Sequence, residues 1–226
     1  MFDGYLRTRQ SASFTPFDIR ADYLRYIDGK PRYEGVRSFL ATRGIQLPAG
    51  NPSDPPGAET VAGLGNRKNE LVLRLIRERG VDTYAGSVAY VRAAQSLGLR
   101  RAVVSSSKNC REILAAAKLE DLFEARIDGE LAAREGLPGK PAPDTYLAAA
   151  HTLGEAPERL AVFEDALSGV EAGRAGGFSL VVGVDRSGQR DALLEHGADL
   201  VVEDLSELLS AESVQTAPRR ERPSRG

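Results

Sequence analysis

Three short segments carry side chains whose types and spacing suit chemistry on phosphate. The first is Val103-Val104-Ser105-Ser106-Ser107-Lys108-Asn109. An apolar strand there runs into hydroxyls, a lysine and the start of a helix, whose free N–H groups favour an anion. A purely structural Ser/Asn helix cap would use the same residues. The second is Gly139-Lys140-Pro141-Ala142-Pro143-Asp144, where two prolines frame Lys140 at a helix entry. A lysine held in that frame can neutralise charge developing on a phosphate, although a solvated loop lysine is the plainer alternative. The third is Phe163-Glu164-Asp165-Ala166-Leu167-Ser168-Gly169. Two adjacent acids at a strand end repel each other unless a cation joins them, and Mg²⁺ commonly takes one or two carboxylates. An Asp serving as helix cap accounts for one acid but not both. Taken together, the segments point to phosphoryl transfer at a magnesium site, a chemistry of positioning and charge stabilisation.

Positioning such groups requires strand ends. From about residue 84, short apolar runs alternate with helical stretches, predicting strands at 102–104, 123–127, 160–163, 180–182 and 200–202. Helices are expected at 110–118, 143–153, 168–175, 191–196 and 204–209. Nearly continuous apolar strands joined by helices imply a doubly wound parallel α/β sheet with ligands at its carboxyl edge. Residues 1–82 differ: apolar spacing there is helical, interrupted by a turn-rich stretch from Leu47 to Gly57. The expected organisation is a helical domain at 1–82, an α/β core at 83–210 and a disordered, arginine-rich tail at 211–226.

Composition narrows the function. Thirty basic against thirty-two acidic residues leave a net charge of −2, which argues against nucleic acid as a partner. No apolar run is long enough to span a membrane. A single cysteine, Cys110, excludes an internal disulfide framework and fits a cytoplasmic setting. Residues 1–10 lack a secretory pattern. Met1, the single methionine, opens directly on Phe2, Tyr5 and Leu6 at helical spacing, so the chain is expected to start inside a helix. Other motifs fail on inspection. Gly63-Leu64-Gly65 lacks the third glycine and the preceding strand of a dinucleotide loop. Ser105-Ser106-Ser107-Lys108 lacks the partner motifs of a Ser-x-x-Lys enzyme, and His151 and His196 have no ligand spacing.

On these motifs the chain resembles the haloacid dehalogenase superfamily, in its β-phosphoglucomutase-like branch. Ser105 matches the family's second-motif hydroxyl, Lys140 its third-motif lysine, and Glu164-Asp165 its Mg²⁺-holding acids. The helical first part resembles the family's inserted cap. There, Arg32 in Asp28-Gly29-Lys30-Pro31-Arg32 matches the arginine that grips the substrate's distal phosphate. Lys68 in Asn66-Arg67-Lys68-Asn69 matches a sugar-contacting lysine. Ser106, Ser107, Lys108 and Asn109 match core residues around that same phosphate.

The resemblance implies a Mg²⁺-dependent phosphotransferase or phosphohydrolase acting on a phosphorylated sugar, a monomer when full-length, passing β-glucose 1-phosphate to glucose 6-phosphate through an aspartyl-phosphate. A related phosphatase acting on another sugar phosphate is the close alternative. The family's nucleophile and acid/base lie in a strand-end Asp-x-Asp-Gly, and no such motif occurs in these residues. Phe2-Asp3-Gly4 holds one Asp and belongs to a helical pattern. The resemblance therefore implies that a central first strand, the nucleophile and the acid/base are missing here. Neighbouring strands would then carry unpaired edges open to aggregation or to another chain. A non-catalytic protein that binds phosphate or a partner is the alternative.

Overall fold

Five parallel strands and ten α-helices make up the described residues, 1–10 and 14–209, of the computed structural model. The tail expected at 211–226 lies outside them. Helices α1 (Phe2–Gln10), α2 (Ala21–Tyr26), α3 (Arg32–Thr42), α4 (Val61–Arg79) and α5 (Ala85–Ser96) come first. Then follow β1 (Ala102–Val104), α6 (Cys110–Ala117), β2 (Ala125–Ile127), α7 (Gly129–Glu135) and α8 (Asp144–Leu153). The chain closes with β3 (Ala161–Glu164), α9 (Leu167–Ala175), β4 (Leu180–Val184), α10 (Arg190–Glu195) and β5 (Leu200–Val202). The helix expected at 204–209 is a 3₁₀ turn, Leu205–Leu209. No helix among the described residues is long and apolar enough to cross a membrane.

The chain forms two compact units. The first contains Met1–Val81 together with Ser105–Lys118 and Asp128–Glu130. Its core is Phe2, Leu6, Val36, Phe39, Leu40 and Val61, buried because α1, α3 and α4 each turn an apolar stripe inward. Three rings lock it: Phe2 lies 4.4 Å from Phe39 and 5.3 Å from Phe17. Asp3 sits in the first turn of α1, where its carboxylate accepts the Phe17 N–H at 2.7 Å. That is a structural job. Helix α4 starts at Thr60, whose hydroxyl caps the Gly63 N–H at 2.9 Å.

The second unit holds all five strands. They form two separate parallel ladders, β1–β2 and β3–β4–β5. Among the described residues no ladder joins β1 to β3. Helix α8 bridges them: its Tyr146 and Ala150 pack in one cluster with Val104 of β1 and Val162 of β3. The interior strands are apolar throughout: Val181 and Val182 of β4 have no exposed surface, as burial on both faces demands. By contrast, every residue of β1 is only half-buried, and Ala161 of β3 is exposed.

Candidate active site

The proline-framed lysine and the acid at the end of β3 meet. Lys140 donates to Glu164 Oε2, and the two side chains are 6% and 10% exposed, so this is a buried ion pair. The Lys140–Pro141 bond is cis. Tyr146, on the first turns of α8, donates its hydroxyl to the same oxygen at 2.5 Å and lies under the ammonium, 4.8 Å from ring centre to Nζ. Glu164 Oε1 accepts the backbone N–H groups of Asp165 at 3.2 Å and Ala166 at 3.1 Å. Burial opposes ionisation of Glu164. The Lys140 charge, the two side-chain hydrogen bonds and the Ala166 N–H outweigh it and hold the carboxyl below its ordinary value. Burial and then the Glu164 charge push the Tyr146 hydroxyl up, so it stays a proton donor.

Glycine makes this packing possible. A methyl group at Gly169, in the first turn of α9, would stand 2.2 Å from the Glu164 carboxylate. Beside it, the Ser168 hydroxyl is buried with no hydrogen-bond partner among the described residues. Ser168→Ala is expected to leave stability unchanged or raise it by about 1 kcal/mol. Urea unfolding checks this, and a clear loss would reveal a partner for the hydroxyl.

Two adjacent carboxylates with hard oxygens are a donor set that suits Mg²⁺, and one of them, Asp165, is exposed. Glu164 already uses both oxygens on four donors, so it joins a cation only by exchanging one of them. Among the described residues no group of three or more His, Cys, Asp or Glu is placed to hold a metal.

The first unit gathers a second cluster. Arg32 opens α3, and its Nη2 donates to Asn69 Oδ1 at 2.8 Å. Asn109 donates its side-chain amide to the same oxygen at 2.6 Å. Asn109 is the N-cap residue of α6 but makes no side-chain capping bond. Lys68 is partly buried, and burial followed by the Arg32 charge pushes its ammonium down. Ser106 donates to the Gly29 carbonyl at 2.9 Å, tying the loop after β1 to the loop before α3. Ser105 and Ser107 accept the N–H groups of Ser107 and Asn109, both at 3.1 Å, which shapes the turn. Lys108 follows in the same turn, beside the Gly129 backbone.

Lys140, Glu164 and Asp165 thus share one unit, and Arg32, Lys68 and Ser105–Asn109 the other. Tyr146, Gly169 and Asn69 do not stand out in the sequence. Their roles depend on partners distant along the chain, with no local signal beyond the neighbouring motif.

A model of haloacid dehalogenase-like hydrolases matches residues 12–177. The chain belongs to that family. As a haloacid dehalogenase-like hydrolase, it is 52% identical over 215 residues to β-phosphoglucomutases of Mycobacterium tuberculosis and Mycobacterium bovis, covering 92% of this chain and 82% of theirs. Solved structures repeat the family's fold. A β-phosphoglucomutase from Clostridium difficile superposes with a TM-score of 0.71 at 21% identity, over 95% of this chain and 87% of that one. A hydrolase from Pseudomonas syringae gives 0.73 at 21% identity, over 96% and 90%. At that identity the structures speak for the fold alone. The α/β architecture expected for the family is the one observed.

Proposed function

We propose that this protein is a Mg²⁺-dependent sugar-phosphate phosphotransferase of the β-phosphoglucomutase type, interconverting β-glucose 1-phosphate and glucose 6-phosphate. The observation that carries the reading is the buried Lys140–Glu164 pair beside exposed Asp165 at the carboxyl end of β3. Glu164 and Asp165 hold Mg²⁺, which supplies charge neutralisation to the phosphoryl group. Lys140 places a fixed positive charge for the transferring oxygens, and Ser105 donates a hydrogen bond to them. Arg32, Lys68, Ser106, Ser107, Lys108 and Asn109 take the phosphate and sugar that do not react. Residues 1–82 act as the cap that selects the sugar.

The carboxylate nucleophile is the missing part. These 226 residues contain no Asp-x-Asp-Gly, and the separate β1–β2 and β3–β4–β5 ladders are in keeping with a further strand that carries it. By themselves the 226 residues then bind substrate and Mg²⁺ without turning substrate over. That also is the behaviour of the second reading, a phosphate-binding protein without catalysis.

The experiment is a coupled assay on β-glucose 1-phosphate with Mg²⁺, run on this chain and on one preceded by an apolar strand ending in Asp-x-Asp-Gly. Expected is no turnover in the first and Mg²⁺-dependent turnover, abolished by EDTA, in the second. Turnover by the 226 residues alone would overturn the account of the nucleophile. Inactivity of both with intact phosphate binding would favour the non-catalytic reading.

A further inference from the structure

The failed dinucleotide motif on α4 has another use. Glycine within a helix costs up to about 1 kcal/mol relative to alanine, so Gly63 and Gly65, in the opening turns of α4, need a reason. A methyl group at Gly63 would stand 2.4 Å from the Ala58 carbonyl oxygen. One at Gly65 would stand 2.7 Å from the Tyr33 ring and 3.4 Å from Arg32 Cγ. The bare backbone of α4 therefore receives the first turn of α3. Asn66 secures that seat, accepting the Tyr33 hydroxyl at 3.0 Å while its own amide donates to the Pro52 and Asp54 carbonyls at 3.0 and 2.8 Å. One turn on, Asn69 meets Arg32 and Asn109 with a single oxygen.

We propose that Asn69, seated by Gly65, is a positioning residue that aims Arg32 and Asn109 as joint donors at one phosphate group. The inference rests on the reading of Arg32 as a phosphate-binding residue and adds how it is held. Arginine has five N–H donors in a rigid fork, and one of them on Asn69 fixes the plane while the others stay free for an anion. Asn109 keeps its second amide hydrogen for the same purpose. A neutral acceptor suits this role, because a carboxylate at position 69 would hold the guanidinium equally well but cancel the charge the anion needs. Lys68, one residue earlier and electrostatically coupled to Arg32, adds to the positive field.

The test is calorimetric titration of the 226-residue protein with glucose 6-phosphate and with inorganic phosphate, for wild type, Arg32→Ala, Asn69→Leu and the double variant. Arg32→Ala and Asn69→Leu should each weaken glucose 6-phosphate binding about tenfold. The double variant should fall short of the roughly hundredfold product, because the part of the Asn69 effect carried by Arg32 is already lost and only the part through Asn109 remains. A purely structural role for Asn69 predicts the full product. Wild-type affinity in Asn69→Leu, or the full product in the double variant, overturns the inference. If Arg32→Ala itself binds normally, the phosphate-binding reading of Arg32 fails instead. Should Asn69→Leu not fold, Asn69→Ser, too short to reach both donors, is judged by the same outcomes.

Discussion

Lys140→Ala should destabilise the protein by about 3 kcal/mol at pH 7, because it leaves Glu164 as a buried carboxylate without its counter-charge. The loss should shrink on acidification. In the wild type the Glu164 carboxyl lies below its ordinary value of 4.5, held there against burial chiefly by Lys140. Its contribution to stability is complete above the unfolded value and disappears as pH falls through the lower folded one. Without the ammonium, burial dominates and raises the carboxyl above its unfolded value. The ionised group then opposes folding at neutral pH, and protonation relieves it. Urea unfolding of both proteins at pH 7 and pH 5 measures the difference. An equal gap at the two values would mean that Lys140 does not govern the charge on Glu164.

Gly169→Ala is expected to cost about 3 kcal/mol or more, although alanine normally strengthens a helix by about 1 kcal/mol over glycine. The added methyl would stand 2.2 Å from both Cδ and Oε2 of Glu164, closer than non-bonded atoms approach. Either α9 shifts against its packed neighbours or the carboxylate leaves its place between Lys140 and Tyr146, breaking its buried hydrogen bonds. Gly173→Ala is the comparison. Its methyl would meet Val162 Cγ1 at 3.1 Å, a contact that small adjustments absorb. Denaturant unfolding of the two variants should therefore separate them clearly. Similar stabilities would show that Glu164 has room to move.

How far the sequence carries depends on how local the cause is. Helix α8 is readable because Pro143 leads a run of small and apolar residues up to Gly154, which ends it at a positive φ. Strands β3, β4 and β5 are legible as apolar runs, most clearly β4, where burial on both faces leaves no room for polar residues. The strand expected at 123–127 is shorter, Ala125–Ile127, because Leu122 closes a 3₁₀ turn just before it. Helix α7 has too few apolar residues to announce itself. At the site, Lys140, Glu164 and Asp165 stand out by type and context. Tyr146 does not: its bond to Glu164 spans 18 residues, and an aromatic near a helix start reads as core. Asn69 is further from view, because its partners lie 37 and 40 residues away on other segments. Gly65 reads as part of a broken motif until Arg32 and Tyr33 are seen against it.

The division of the strands into two ladders also bears on the order in which this unit comes apart. Backbone hydrogen bonds hold β1 to β2, and β3 to β4 and to β5 through it, whereas among the described residues no strand pairing links the two groups and side-chain packing under α8 bridges them. Packing of that kind fails early under mild denaturing stress, whereas hydrogen-bonded secondary structure outlasts it. Loosening around Tyr146 would weaken the packing of β1 against β3 while both ladders kept their own backbone bonds. The same ring donates to Glu164 and lies under the Lys140 ammonium, so loosening there would disturb the charged pair as well.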